Sequence, residues 1–159
     1  MVLENGTTPP PENEFLSSVV SKSEKSVVWG GNYFSLPPKP GWLVWDKDNG
    51  NNGYADCELA WTNFDMAIRK FRYRWMGMLQ ENMAEKDVRY HPTQKPTSLC
   101  EWCLSFMPEA KTVLDAWMGS GTTLIAARNK GMRADGIEQD ERYCKAAVER
   151  LRQGVLITV

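Results

Sequence analysis

The sequence predicts an α/β fold in which helices lie on the faces of a parallel sheet. Two observations carry this expectation. From Pro96 onward, strand-like and helix-like patterns take turns, the order that produces parallel strands covered by helices. Inside that stretch an apolar run ends in Asp115, passes through Gly119 and Gly121, and opens directly into a helix. Such turns lie at the carboxyl ends of strands, where open α/β sheets bind ligands. Composition supports a globular chain: of 159 residues, 42% are hydrophobic and 25% charged, and mean hydropathy is −0.47. That excludes intrinsic disorder, and the length suffices for one ordinary core. No run approaches the roughly 20 apolar residues of a spanning helix. Met1-Val-Leu is followed at once by Glu4-Asn-Gly, unlike a signal peptide, so a cytoplasmic protein is expected.

The chain reads as a flexible lead-in over 1–9 and a single domain over 10–159. Pro10 and Pro11 followed by Glu12 and Glu14 have the form of a helix start, with Phe15, Leu16, Val19 and Val20 at helical spacing. Strands are expected over Ser26–Trp29, Trp42–Asp46, Asp56–Trp61 and Lys70–Trp75. The proline-rich 36–41 and the polar 47–53 are loops. Lys70–Trp75 alternates cations with Phe71, Tyr73 and Trp75, the period of a two-faced strand. Residues 76–90 are polar and expected to be mobile. Helices then follow over Thr97–Phe106, Gly121–Lys130 and Glu141–Arg152, strands over Lys111–Asp115 and Arg133–Ile137, with a last strand at Val155–Val159.

Net charge is −1, so total charge does not advertise a polyanionic partner. Distribution is more informative. Arg69, Lys70, Arg72 and Arg74 fall within six residues and could contact phosphates, with Tyr73 or Trp75 stacking on a base. The alternative is a solvated strand whose aromatics face the core. Cys100 and Cys103 have CxxC spacing, but Cys57, Cys144 and the single His91 complete no metal-ligand pattern. They read instead as small apolar residues on a buried helix face, and no metal is expected. Most of the seven tryptophans (Trp29, Trp42, Trp45, Trp61 and Trp102 among them) read as core or interface.

The informative segment is Thr112–Arg128. Glycines let backbone approach a ligand closely, and the N–H groups at a helix start favour an anionic group. Asp115 repels phosphate but suits a cationic ammonium, so an amino-acid-like ligand bearing both charges fits. About 20 residues on, Glu138 ends the next strand, where an acid can accept ribose hydroxyl protons. A nucleotide P-loop is excluded because its GK[ST] ending is missing.

Leu114-Asp-Ala-Trp-Met-Gly-Ser-Gly-Thr-Thr123 resembles the LDPFxGSGTT cofactor motif of N6-adenine/N4-cytosine DNA methyltransferases. His91-Pro-Thr-Gln-Lys-Pro96 is similar to their HPTQKP segment, and Gly136-Ile-Glu-Gln-Asp140 to their GIExD. The order resembles the class whose catalytic half precedes the cofactor half, and Trp29–Phe34, Gly41–Lys47 and Asp56–Trp61 resemble the middle of its shorter, largely phage-borne members. The resemblance covers residues from about 10 to 153. It implies the Rossmann-like three-layer sandwich of S-adenosylmethionine-dependent methyltransferases, with an incomplete sheet, and S-adenosylmethionine as cofactor. It places His91, Thr93 and Gln94 near the methionine moiety. Asp115, Trp117, Gly119, Ser120, Gly121 and Thr122 fall in the main cofactor loop, and Glu138 at the ribose. Lys95 and Pro96 could equally be helix-entry residues.

Three departures stand out. The catalytic [DNS]PP[YFW] motif of such enzymes, which act on a flipped-out base, is not found. Thr8-Pro-Pro-Pro11 is the nearest candidate, yet it lacks the aromatic and a strand leading in, so no catalytic residue is assigned and the chain reads as beginning just past that strand. Asp115-Ala-Trp117 replaces Asp-Pro-Phe, which could leave cofactor binding intact or weaken it. Between Trp61 and His91 lie only 29 residues, too few for a separate recognition domain. Two readings follow: a DNA amino-methyltransferase-family protein with weak or absent activity alone, or a non-catalytic relative that binds a protein partner, DNA or the cofactor, as in phage counter-defence. An incomplete sheet would expose an apolar edge, favouring self-association or a partner chain there.

Overall fold

The computed structural model describes residues 12–50, 53–76, 79–81, 83 and 88–153. The lead-in expected over 1–9, the Pro10-Pro11 helix start and the strand expected over Val155–Val159 lie outside the described residues. The chain divides into two compact units, Met1–Lys86 and Asp87–Val159. Each contains both helix and strand, so the α/β class holds in both.

The first unit opens with α1 (Asn13–Ser21), which buries Leu16. Four strands follow: β1 (Val27–Trp29), β2 (Trp42–Asp46), β3 (Cys57–Thr62) and β4 (Arg69–Arg72). They form one sheet in the order β1-β3-β2-β4. β3 pairs antiparallel with both β1 and β2, and β4 joins β2 in parallel, Leu43 opposite Arg69 and Asp46 opposite Arg72. This sheet is therefore mixed.

Its core is aromatic. Leu43, Trp45 and Trp61 are at most 2% exposed, and Trp29 meets Trp45 edge-on with ring centroids 6.4 Å apart. A buried indole needs a partner for its N–H. Trp61 Nε1 donates to the Pro37 carbonyl at 2.8 Å and Trp45 Nε1 to that of Tyr73 at 2.9 Å. Thr62, fully buried, donates its hydroxyl to the Gly41 carbonyl at 2.7 Å and accepts from Phe64 N–H. The core reading of Trp45 and Trp61 stands, while Trp29, Trp42 and Trp102 are only partly buried.

Two expectations need correction here. The strand foreseen over Lys70–Trp75 is interrupted at Tyr73 and Arg74. Its parallel partner β2 ends at Asp46, and the chain then turns through Asp48, a non-glycine residue at φ +47°. Tyr73 N–H still donates to Asp46 O, but beyond it, among the described residues, no partner strand continues the ladder. No element was expected over 76–90, yet a short antiparallel pair, β5 (Trp75–Met76) and β6 (Leu79–Gln80), runs into it. Trp75 and Gln80 are buried, and Glu81 N–H donates to Arg74 O at 3.0 Å to close the pair. A turn of 3-10 helix at Gly31–Tyr33 was also not foreseen.

The second unit contains α2 (Thr97–Leu104), β7 (Thr112–Asp115), α3 (Thr122–Asn129), β8 (Arg133–Gly136) and α4 (Glu141–Gln153). Each falls within two residues of its expected bounds. β7 and β8 are parallel neighbours, Asp115 opposite Gly136, with α3 as the connection. Cys100, Leu104, Ala126 and Ala127 form the core, surrounded by Met107, Val113, Met132 and Ala134. Small side chains at Ala126 and Ala127 (both 0% exposed) let α2 and α3 approach closely. Cys100 and Cys103 face this interior, as the apolar reading holds, and burial pushes the Cys100 thiol up to about 12, leaving it inert.

Gly31 packs its backbone on Trp61, where an added Cβ would lie 2.9 Å from the Trp61 nitrogen and closer still to its Cβ. Neither atom can give way. Gly31→Ala is expected to destabilise the protein by about 1–3 kcal/mol in chemical denaturation, an overpacking cost.

Candidate functional site

The turn from β7 to α3 is built by a short series of backbone bonds. Asp115 Oδ1 accepts Trp117 N–H at 3.1 Å, the side-chain turn that Asp favours. Ile137 N–H donates to Asp115 O and Met118 N–H to Ile137 O, so the ladder with β8 persists past both strand ends. Gly119 (φ +52°) and Gly121 (φ +78°) then take left-handed conformations that a side chain would strain. Gly121 also faces α4, where an added Cβ would come within 2.8 Å of Ala147 Cβ. Gly121 caps α3, whose first N–H groups have no intrahelical acceptor.

Glu138 ties this turn to the end of β8. Its Oε2 accepts Gly119 N–H at 3.0 Å, and its Oε1 accepts Gln139 and Asp140 N–H at 2.8 and 2.9 Å. An ionised carboxylate has about four acceptor directions. Three serve the backbone here, so Glu138 holds the loop. Asp140 is the cap of α4, accepting Arg142 N–H at 2.8 Å. The Arg142 guanidinium beside it, with that backbone N–H, lowers its pKa to about 2.

His91 lies over Gly119: its ring carbons would sit 3.6 Å from a Cβ placed there. Tyr143 of α4 meets the imidazole edge-on at 4.2 Å. Thr93 N–H points at His91 Nδ1 (3.1 Å) and the Thr93 hydroxyl lies 3.0 Å from the same atom. In the neutral ring this makes Nδ1 the acceptor and leaves the proton on Nε2, an assignment made from the hydrogen-bond network. Burial holds the imidazole below its ordinary value of 6.5, an effect the Glu138 carboxylate partly offsets.

The sequence-derived residues thus converge in the second unit, but in different roles. Asp115, Trp117 and Gly119 are partly exposed at the strand ends. Gln94, Ser120 and Thr122 are 6%, 2% and 6% exposed, with side chains turned inward. Gln94 Oε1 accepts from Tyr90 N–H and the Ser120 hydroxyl, and its Nε2 donates to Val88 O. These three side chains build the loop's underside. Pro96, almost fully buried, begins α2, which supports the helix-entry reading of that position.

Two contributors were not foreseen, Tyr143 and Arg150, both on α4. Arg150 follows Ala147 by three positions, which places both on one helix face. That spacing was the available signal, hidden in a run rich in charge.

The basic strip lies in the first unit and is heavily paired. Lys70 contacts Asp46 (3.1 Å), while Arg72 and Arg74 both contact Asp48 (2.7 Å each). The Asp48 N–H, ahead of Lys70, holds the Asp46 carboxyl below its usual range, and Arg72 does the same to Asp48. Phe71 and Tyr73 are half-buried and stacked 5.8 Å apart.

The profile of a family described as DNA methylase, of N6/N4 type, matches residues 17–149. The type II methyltransferase M2.LlaDCHI of Lactococcus lactis subsp. cremoris is 38% identical over 81 residues, 50% of this chain and 30% of that protein. The type II methyltransferase M.HindIII of Haemophilus influenzae is 35% identical over 120 residues, 75% of this chain and 38% of that one. The chain thus spans about a third of the length of these two relatives. Among solved structures, the M1.HpyAVI–SAM complex has 26% identity and a TM-score of 0.48, with 86% of this chain and 68% of that chain covered. Among the described residues, no helix is long and apolar enough to cross a membrane.

His91 is the only histidine, so its ring can be titrated by proton NMR without ambiguity. The midpoint is expected below 6.5. Because the folded value is depressed, the neutral ring contributes stability above about pH 6.5, and that contribution is lost as pH falls through the folded value. A midpoint at or above 6.5 would contradict the acceptor role of Nδ1 in this half-buried ring.

Proposed function

The chain belongs to the N6/N4 DNA methylase family, and from that premise we propose that its second unit binds S-adenosylmethionine on the turn after β7 and serves the amino-methylation of DNA. One observation carries the reading: Asp115, the Gly119 turn and Glu138 stand together at the ends of two neighbouring parallel strands, with His91 over the turn. The donor set suits the cofactor. Asp115 engages only Oδ1 with protein among the described residues, so Oδ2 remains an acceptor for an ammonium group. The first-turn N–H groups of α3 and the His91 Nε2–H are donors of the kind a carboxylate takes. Glu138 accepts ribose hydroxyls in its remaining acceptor direction, or by exchanging a backbone N–H. Trp117 offers a ring for an adenine face.

When bound, S-adenosylmethionine supplies an electrophilic methyl group. What this chain's residues do is hold the two charged ends apart and fix the loop. No residue is assigned a catalytic role, and we infer weak or absent transfer by the chain alone. Cytoplasmic location and association through exposed apolar residues such as Leu114 (55% exposed) and Ile137 (53%) belong to the same reading.

Calorimetry with S-adenosylmethionine should show binding. Asp115→Ala and Glu138→Ala should each weaken it by roughly 10–100-fold, the cost of a lost charge-assisted hydrogen bond. No binding at millimolar cofactor would sink the pocket. In a tritiated methyl-transfer assay on unmethylated DNA, robust incorporation by this chain would refute the weak-activity part.

Arg69, Lys70, Arg72 and Arg74 are proposed to meet phosphate, in competition with Asp46 and Asp48. Asn tolerates the left-handed backbone at position 48. Asp48→Asn should therefore raise DNA retention and steepen its salt dependence. Unchanged retention would remove the strip from the DNA face.

A further inference from the structure

We propose that Arg150 is a positioning residue that sets the glycine turn from behind, acting through Ser120 and Thr122. Resting on the reading of that turn as the cofactor loop, this assigns its alignment to a cation on α4.

Arg150 is 9% exposed, although most of its helix is polar and solvated. Its Nη1 donates to Ser120 O at 2.6 Å and reaches Ser120 Oγ at 3.0 Å and Thr122 Oγ1 at 3.1 Å. The Tyr90 ring lies 5.4 Å from the guanidinium carbon, within cation–π range. A buried cation is tolerated only when its donors are met, and here the loop itself meets those of Nη1.

Donor and acceptor roles agree along the whole path. Ser120 Oγ accepts from Arg150 and donates to Gln94 Oε1, and Gln94 Nε2 donates to Val88 O. Each link leaves the next group its complementary role, so the bonds polarise one another. Three separate segments are joined: the helix, the glycine turn and the stretch 88–94. All three contacts come from Nη1 alone, so a lysine ammonium, with three donors on a shorter stem, could keep part of them.

The position matters because Ser120 lies between the two left-handed glycines. Its carbonyl is also the acceptor closest to Arg150, so the guanidinium fixes the peptide plane that joins Ser120 to Gly121. Rotation of that plane would swing the Gly121 N–H off Met118 O, the bond that closes the turn just before α3. Arg150 does not itself reach the open side of the turn; its effect passes through backbone.

The test uses the full chain, with Arg150→Met, Arg150→Lys, Ser120→Ala and the Met/Ala double variant. Two readouts are taken: amide hydrogen exchange without ligand, and calorimetric affinity for S-adenosylmethionine. Arg150→Met should speed exchange at Gly119–Thr122 by about tenfold or more relative to the β7 amides, and weaken affinity by about 10–100-fold. Arg150→Lys should recover part of both. The double variant should be little worse than Arg150→Met, since both substitutions break one path. A merely structural role would instead raise exchange across β7 and α3 alike and give additive affinity losses, which overturns the proposal. Unchanged loop exchange in a folded Arg150→Met protein overturns it too, and should that variant fail to fold, unchanged loop exchange in Ser120→Ala does the same. If the unsubstituted chain binds no cofactor, the cofactor reading fails, while loop exchange still decides the role of Arg150.

Discussion

The turn between β7 and α3 has to reverse the chain while lying against α4, and the rest of the second unit is arranged around that requirement. Gly121 can neither carry a side chain, because of Ala147, nor relax from its left-handed backbone. Such a turn is costly to order and weakly stabilised by its own contacts. It is held from outside instead. Glu138 grips Gly119 from the end of β8, Asp115 braces Trp117, and Arg150 fastens Ser120 and Thr122 from below.

This arrangement separates two kinds of residue that sequence motifs merge. Asp115 and the Gly119 backbone lie where a ligand could reach them. Gln94, Ser120 and Thr122 belong to the same motifs, yet their side chains face a buried polar network. A half-satisfied network of this kind would be costly in a low-dielectric interior. That explains why the segment 88–94 must carry an amide opposite a hydroxyl, whatever else it does. Glu138 stands between the two kinds, since it organises backbone and remains near the open side.

The first unit works under a different constraint. Its aromatic core is satisfied by carbonyl acceptors for the Trp45 and Trp61 indoles, and its exposed cations are matched by Asp46 and Asp48 on the neighbouring strand and turn. Solvent-exposed pairs of this sort add little stability. Their consequence is electrostatic: a strip that reads as strongly basic in one dimension is partly offset in three, where two carboxylates face Lys70, Arg72 and Arg74.

How much was legible in the sequence depended on the range of the interactions involved. The alternation of β7, α3, β8 and α4 is a local pattern of apolar period and glycine punctuation, and it appears where the sequence places it. Asp115, Gly119, Gly121 and Glu138 were legible because turn chemistry requires those residue types at those positions. The break at Tyr73, the pairing of β5 with β6, the Asp46 and Asp48 partners of the cations, and the inward path from Arg150 to Gln94 were not. The β5–β6 pair joins residues only three to five apart but carries no strong strand pattern. The others depend on which residues meet across more than 20 positions or on where a partner strand ends. Local propensity carries no information about that, so only the tertiary structure could decide it.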